Sequence, residues 1–250
     1  MQGMVPLSGF GGVPYSAVRK AAPRNILDNS DFTNLVAQAG IGGNHGTIAY
    51  AADRWILDSG TVSYEAGVGL TLNGTIRQKL EFPPTGETSA FVGMASGAAS
   101  ISYADGTVTI TSSGGVLKWA ALYVGVYSAA TMPDYQPKGY GAELAECQRY
   151  YVKLNHTSGT GNIGIGFAPN TSAAYINYEL PVSMRTAPSI VCTCGLYNRT
   201  SLKTISHNDV SIHKYYGFSV LIKFTASVTA GNVYSMTITS SQKLEFISDL

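Results

Sequence analysis

Strict two-residue alternation is the feature that most limits what this chain can become. In Tyr216-Gly217-Phe218-Ser219-Val220-Leu221-Ile222-Lys223-Phe224, the side chains of Tyr216, Phe218, Val220, Ile222 and Phe224 fall on one side of an extended segment. A helix would scatter these five; a strand gathers them, and the face they form is expected to be a core face. Residues 75–82 repeat the pattern, with Ile76, Gln78, Leu80 and Phe82 on one side and Arg77, Lys79 and Glu81 on the other, before Pro83-Pro84 ends the strand. Residues 61–65, 68–72, 116–127, 163–167, 175–180, 190–194, 233–239 and 243–247 are further strand candidates. Asp105-Gly106, between 100–103 and 107–111, suits a primed hairpin turn. Many short strands with turns between them predict a sandwich or barrel.

One segment departs from this pattern. Residues 142–151 are rich in helix formers, and Leu144, Cys147, Gln148 and Tyr151 share a helical stripe. This helix follows a Pro- and Gly-containing loop, 132–139, and so reads as the junction between two β domains. Before residue 25 the chain carries Pro6, Pro14, Pro23 and several glycines, which predict an extended arm without a core.

Composition narrows the function. With 45% hydrophobic residues in 250, a core can form and disorder is excluded. The net charge of +1 argues against a nucleic-acid partner held through phosphates. No apolar run approaches the length of a spanning helix, so no membrane insertion is expected, and no signal peptide is visible at the N-terminus.

The chemical motifs are weak. Cys192 and Cys194 read as buried thiols on one strand face with Ile190; the alternative is half a zinc site completed by His207 and His213, at a spacing shorter than zinc sites use. Gly159-Thr160-Gly161-Asn162-Ile163-Gly164 satisfies G-x-G-x-x-G, but a β-like, proline-stopped segment follows instead of a helix, so a glycine-rich turn is expected. His45 lies in a Gly-rich stretch with no marked nucleophile or carboxylate partner, and reads as a surface-loop residue. Glu143 and Glu146 read as solvent-facing helix residues and not as a hydrolytic pair. No metal or cofactor is expected. The surplus of 16 tyrosines, in a chain rich in Gly, Ser, Thr and Asn, suits either ring packing between strands or subunits, or contact with sugars through an amphipathic ring and short polar groups.

Five segments taken in order carry a resemblance: Asn25-Ile26-Leu27-Asp28-Asn29-Ser30-Asp31-Phe32, Asp53-Arg54-Trp55, Arg77-Gln78-Lys79-Leu80-Glu81, Leu117-Lys118-Trp119-Ala120-Ala121-Leu122, and Glu143-Leu144-Ala145-Glu146-Cys147-Gln148-Arg149-Tyr150-Tyr151. The series resembles bacteriophage and prophage tail fibre, tail spike or receptor-binding proteins whose first module is a carbohydrate-binding-module-like jelly roll. Leu180-Pro181-Val182-Ser183-Met184-Arg185-Thr186-Ala187-Pro188 is similar to a segment of the small β domain that follows in such proteins. The resemblance implies an all-β chain: an extended arm over 1–24, a jelly roll over 25–145, one short helix at the junction, and a β-sandwich head over 146–250. It implies a non-enzymatic virion component, a homotrimer assembled in the bacterial cytoplasm. The arm would join other tail or baseplate proteins, and the head would meet host surface polysaccharide. The apolar stretch after Leu117, where relatives carry charge, points to a face covered by another subunit. Receptor contact is expected on turn-like segments of the head, at Tyr197, Asn198, Arg199, His207, Asn208, Asp209 and His213. A glycan-cleaving tail spike and a purely structural tail or decoration protein are the alternatives.

Overall fold

The computed structural model describes residues 23–248 apart from 155 and 157. The expected arm lies outside them except for its last two residues. Among the described residues the chain is all-β with a single helix, as the alternation requires.

The first unit contains β1 (Asn44–His45), β2 (Ile48–Ala52), β3 (Trp55–Glu65), β4 (Gly69–Lys79), β5 (Thr88–Ser96), β6 (Ala99–Ala104) and β7 (Thr107–Val124). They form one antiparallel sheet in the order β1-β2-β3-β4-β7-β5, with β6 also on β7. The long β7 is its spine. One edge pairs with β4; the other pairs first with β6 and then, beyond Gly114, with β5. The Asp105-Gly106 turn forms as expected, with φ of 50° and 73° at its two residues. Leu70, Leu72, Ile76, Val108, Ile110, Leu117 and Leu122 pack with Trp55, Leu27 and Phe32 into one core, each large side chain contributing about 1.5–3 kcal/mol.

The opening segment is tied to this sheet by buried amides. Asn25 Nδ2 donates to Ser30 Oγ (2.9 Å) and to the Ala120 carbonyl (3.0 Å), while its Oδ1 accepts from the Leu122 amide (2.9 Å). Asn29 Nδ2 donates to the carbonyls of Val36 (2.8 Å) and Asp53 (2.7 Å), and the Trp55 indole donates to the Asn29 carbonyl at 2.9 Å. The face expected to meet another subunit is covered by this chain: Trp119 stacks on Tyr135 at 5.0 Å, and Tyr123 meets Phe91 and Tyr127. Val124 and Val126, farther on, are exposed.

Helix α1 (Tyr140–Gln148) links the units. It ends before Tyr151, which opens the next strand. Glu143 is not solvent-facing but 2% exposed, because it accepts the Asn29 backbone N–H.

The second unit contains β8 (Tyr151–Leu154), β9 (Thr160–Phe167), β10 (Ala173–Glu179), β11 (Ser189–Cys192), β12 (Gly195–Asn198), β13 (Lys203–Ile205), β14 (His207–Tyr215), β15 (Ser219–Ala226), β16 (Val233–Thr239) and β17 (Leu244–Ile247). Seven strands run β13-β12-β16-β9-β10-β15-β14. Its two edge strands follow each other in the chain with Ser206 alone between them, so the sheet curls into a half-barrel. The G-x-G-x-x-G motif enters β9. Gly166 lets β9 lie against β10, since a Cβ there would stand 1.7 Å from the Tyr175 carbonyl oxygen. Val220, Ile222 and Phe224 are core residues, as the alternation indicated. Tyr216 and Phe218 are not: they lie in the turn between β14 and β15, exposed. Phe82 is exposed for the same reason, since β4 ends at Lys79.

The remaining three strands form the small sheet β11-β17-β8. Val152, Leu244 and Phe246 join the half-barrel core. The opposite alternation set, including Tyr151 and Ile247, is turned to the first unit. Gln38 extends the β8 edge, donating to the Tyr151 carbonyl at 2.7 Å, and Tyr151 stacks on His45 at 3.6 Å.

Candidate functional site

The outer face of the half-barrel carries the first candidate surface. Cross-strand register places Val233, Phe167, Tyr175 and Lys223 in one row, and Tyr197, Ser235, Ile165 and Asn177 in the next. Gly164 and Gly166 turn inward against Ile176 and the β10 backbone, so Ile165 and Phe167 point outward, 61% and 57% exposed. Arg199 lies over the Tyr197 ring at 5.6 Å and donates through Nε to Ser235 Oγ at 3.0 Å. His213 meets the edge of Tyr175 at 4.9 Å.

The structure brings Tyr197, Arg199 and His213 onto this one face. It separates the other candidates from it. Asn198 points inward, bonded to Tyr234 Oη at 3.0 Å and closing a turn by accepting from the Thr200 amide at 2.9 Å. His207 packs edge-on to Phe224, with Nε2 2.8 Å from the Cys194 carbonyl. Asn208 and Asp209 are exposed on β14. Most of these residues therefore lie on strands and not on turns. The zinc alternative is not assembled: His207 addresses a carbonyl and His213 a tyrosine, while Cys194 donates its thiol to the Lys243 carbonyl at 3.5 Å and its backbone N–H to Cys192 Sγ at 3.4 Å.

The second candidate is a cleft of about 230 Å³ between the units, on the outer face of β2–β4 against the chain joining α1 to β8. His45, expected on a surface loop, is 4% exposed in its wall, with its ring between those of Tyr50 (3.9 Å) and Tyr151 (3.6 Å). Its Nε2 lies 3.3 Å from Asp53 Oδ1, off the line of a hydrogen bond. Asp53 is held by the Gln38 amide (3.0 Å) and by Gln38 Nε2 (2.7 Å). Arg54 lies flat over Tyr150, 3.5 Å from the ring centroid, donates to Asp28 Oδ2 at 3.1 Å, and donates through Nη2 to the Lys79 carbonyl at 2.9 Å. Cys147 lines the same cleft beside His45 and Asp53, but burial, and then the Asp53 charge, push its thiol well above the ordinary range. A nucleophilic cysteine needs the opposite shift.

Below this cleft a carboxylate network joins α1 to the opening segment. Lys138 contacts Glu146, Asp28 (3.5 Å) and Glu143 (4.0 Å), and Arg149 pairs with Glu81 at 3.0 Å. Burial raises the Glu143 carboxyl, but it is 2% exposed and does not line the cleft; Asp28, Glu81 and Glu146 are ion-paired. Glycoside hydrolysis needs an open pair of carboxylates, one protonated and one ionised, and this network serves as a staple instead.

Sequence reasoning placed His45 on a surface loop, because Tyr151, which stacks on it, is far along the chain, and it missed Phe167 and Tyr175, because alternation alone does not say which side faces the core. Inward glycines beside outward Ile165 and Phe167 were the available signal. Comparison with family models, curated proteins and solved structures yields no match to this chain.

Proposed function

We propose that the chain is a bacteriophage tail fibre or receptor-binding protein, a non-enzymatic virion component that holds host surface polysaccharide on the outer face of the half-barrel. The observation that carries this reading is one face on which an exposed Phe167 stands beside half-buried Tyr175 and Tyr197, with Arg199, Asn177, Lys223 and His213 around them. Solvent-accessible rings beside short polar and cationic groups suit a sugar, whose C–H face covers a ring while its hydroxyls bond at the sides. Three free cysteines accord with assembly in a reducing cytoplasm. In the same reading the protein is a homotrimer, and the arm over 1–24 attaches it to other tail or baseplate proteins.

The test is adsorption of the purified full chain to a panel of bacterial surface polysaccharides. Wild type is expected to bind at least one of them, and the double variant Phe167→Ala/Tyr175→Ala to lose about tenfold, equivalent to 1.4 kcal/mol, with an unchanged melting temperature. Light scattering is expected to give three times 26.4 kDa. Absence of adsorption across the panel overturns the receptor-binding reading and favours a structural tail part. Release of reducing ends overturns the non-enzymatic one.

A further inference from the structure

We infer that the cleft between the two units is a second binding site, for a single acidic sugar unit bearing a carboxylate or a phosphate. This inference does not rest on the half-barrel face, which belongs to the other sheet.

Charge points to an anion. The chain as a whole is nearly neutral, at +1, yet Arg54, Arg77 and Lys79 line the cleft against Asp53 alone. Asp53 already accepts two hydrogen bonds from Gln38. Arg54 is fixed before any ligand arrives: Tyr150 supports its plane, and Asp28 and the Lys79 carbonyl take Nε and Nη2. Its Nη1 makes no hydrogen bond among the described residues. A guanidinium ordered in this way loses little further freedom when it binds an oxyanion. Arg77 reaches Asp58 at 3.1 Å on the outer side, half exposed, and Lys79 has no ion-pair partner among the described residues.

The rest of the wall points to a sugar and not to a bare ion. Ile48 and Ile56 supply apolar surface, Thr107 a hydroxyl, and His45 a buried Nε2 lacking an in-line partner. Such a mixture suits a ring with hydroxyls on its edge and C–H groups on its face. At about 230 Å³ the cleft is below the range of roughly 300–1,000 Å³ that drug-sized ligands fill, so it takes one ring and not an extended chain. Carboxylate and phosphate share the recognition chemistry of a guanidinium, and the experiment separates them.

Titration calorimetry on the full chain uses glucuronate and glucose 6-phosphate as probes, with glucose, acetate and inorganic phosphate as references. At least one acidic sugar is expected to bind at least about tenfold more tightly than glucose and than its bare anion, with affinity falling as salt rises. The arm that binds identifies carboxylate or phosphate as the anion. Lys79→Gln/Arg77→Gln is expected to cut that affinity about tenfold without moving the melting temperature, since both side chains are exposed on the strand face. The inference is overturned if neither acidic sugar binds in the millimolar range, if glucose or the bare anion binds as tightly, or if the double variant binds like wild type. Any of these leaves adsorption through Phe167 and Tyr175 standing, so the two readings fail separately.

Discussion

At the residue scale the decisive side chains are buried amides. Asn29 has φ of 49°, which asparagine tolerates better than most residues. It gives both Nδ2 protons to carbonyls and accepts the Val36 N–H at 2.8 Å. The Asn29→Asp substitution keeps the shape and removes both donors, leaving a carboxylate against two carbonyl oxygens. It is expected to cost about 3 kcal/mol or more, read as a drop in the denaturant midpoint at unchanged slope; a change below about 0.5 kcal/mol would remove this side chain from the account. The opening segment was legible as a motif from its residue order. Its work was not, because the carbonyls it serves belong to Val36, Asp53 and Ala120, which sequence spacing does not bring near.

At the element scale, alternation proved sound for where strands exist and silent about where they stop. Residues 233–239 form β16 over the range expected, and Asp105-Gly106 turns as its residue types require. Tyr216 and Phe218 continue the pattern of β15 in sequence but not in space, because Gly217, at φ 84°, belongs to a turn. The candidate surface was legible in part for a related reason. Tyr197, Arg199 and His213 were recognisable as recognition chemistry, whereas the alternation of 163–167 left the side of Phe167 open, and the inward glycines of β9 decide it. Those glycines make a sharp prediction. Gly166→Ala forces β9 away from the Tyr175 carbonyl and is expected to lower stability by about 3 kcal/mol. In the proposed reading it should also abolish adsorption through the outer face, because Phe167 and Tyr175 would no longer be cross-strand neighbours. Thermal unfolding and a polysaccharide binding assay on the same sample check both halves.

At the scale of the whole molecule, buried and partly buried phenols and one partly buried amine set the pH response. Burial raises Tyr135, Tyr150 and Tyr151 above the ordinary phenol range, and it pushes Tyr178 up to about 12. Burial alone would lower Lys138, but its hydrogen bond to Glu146 and the charges of Asp28 and Glu143 raise it overall. In every case the folded chain keeps a proton that the unfolded chain releases once pH passes about 10. The unfolded state then binds fewer protons, so the unfolding free energy falls as pH rises. The denaturant midpoint is expected to hold at about pH 8 and to fall above about pH 10, with part of the tyrosinate absorbance appearing only as the chain unfolds. Lys138→Met is expected to cost about 1.5–3 kcal/mol at neutral pH and to shallow the alkaline fall. A midpoint independent of alkaline pH would contradict the burial of these groups.

The stack of Tyr50, His45 and Tyr151 rings crosses the boundary: the first two belong to the first sheet and the third to the plate of strands beneath the half-barrel. With Gln38 spliced onto the rim of that plate, a tug on one half is delivered to the other through stacked rings and a side-chain bond to the strand edge and not through a slack cord. Under load such a molecule would behave as a stiff strut, and the two halves would yield together or not at all.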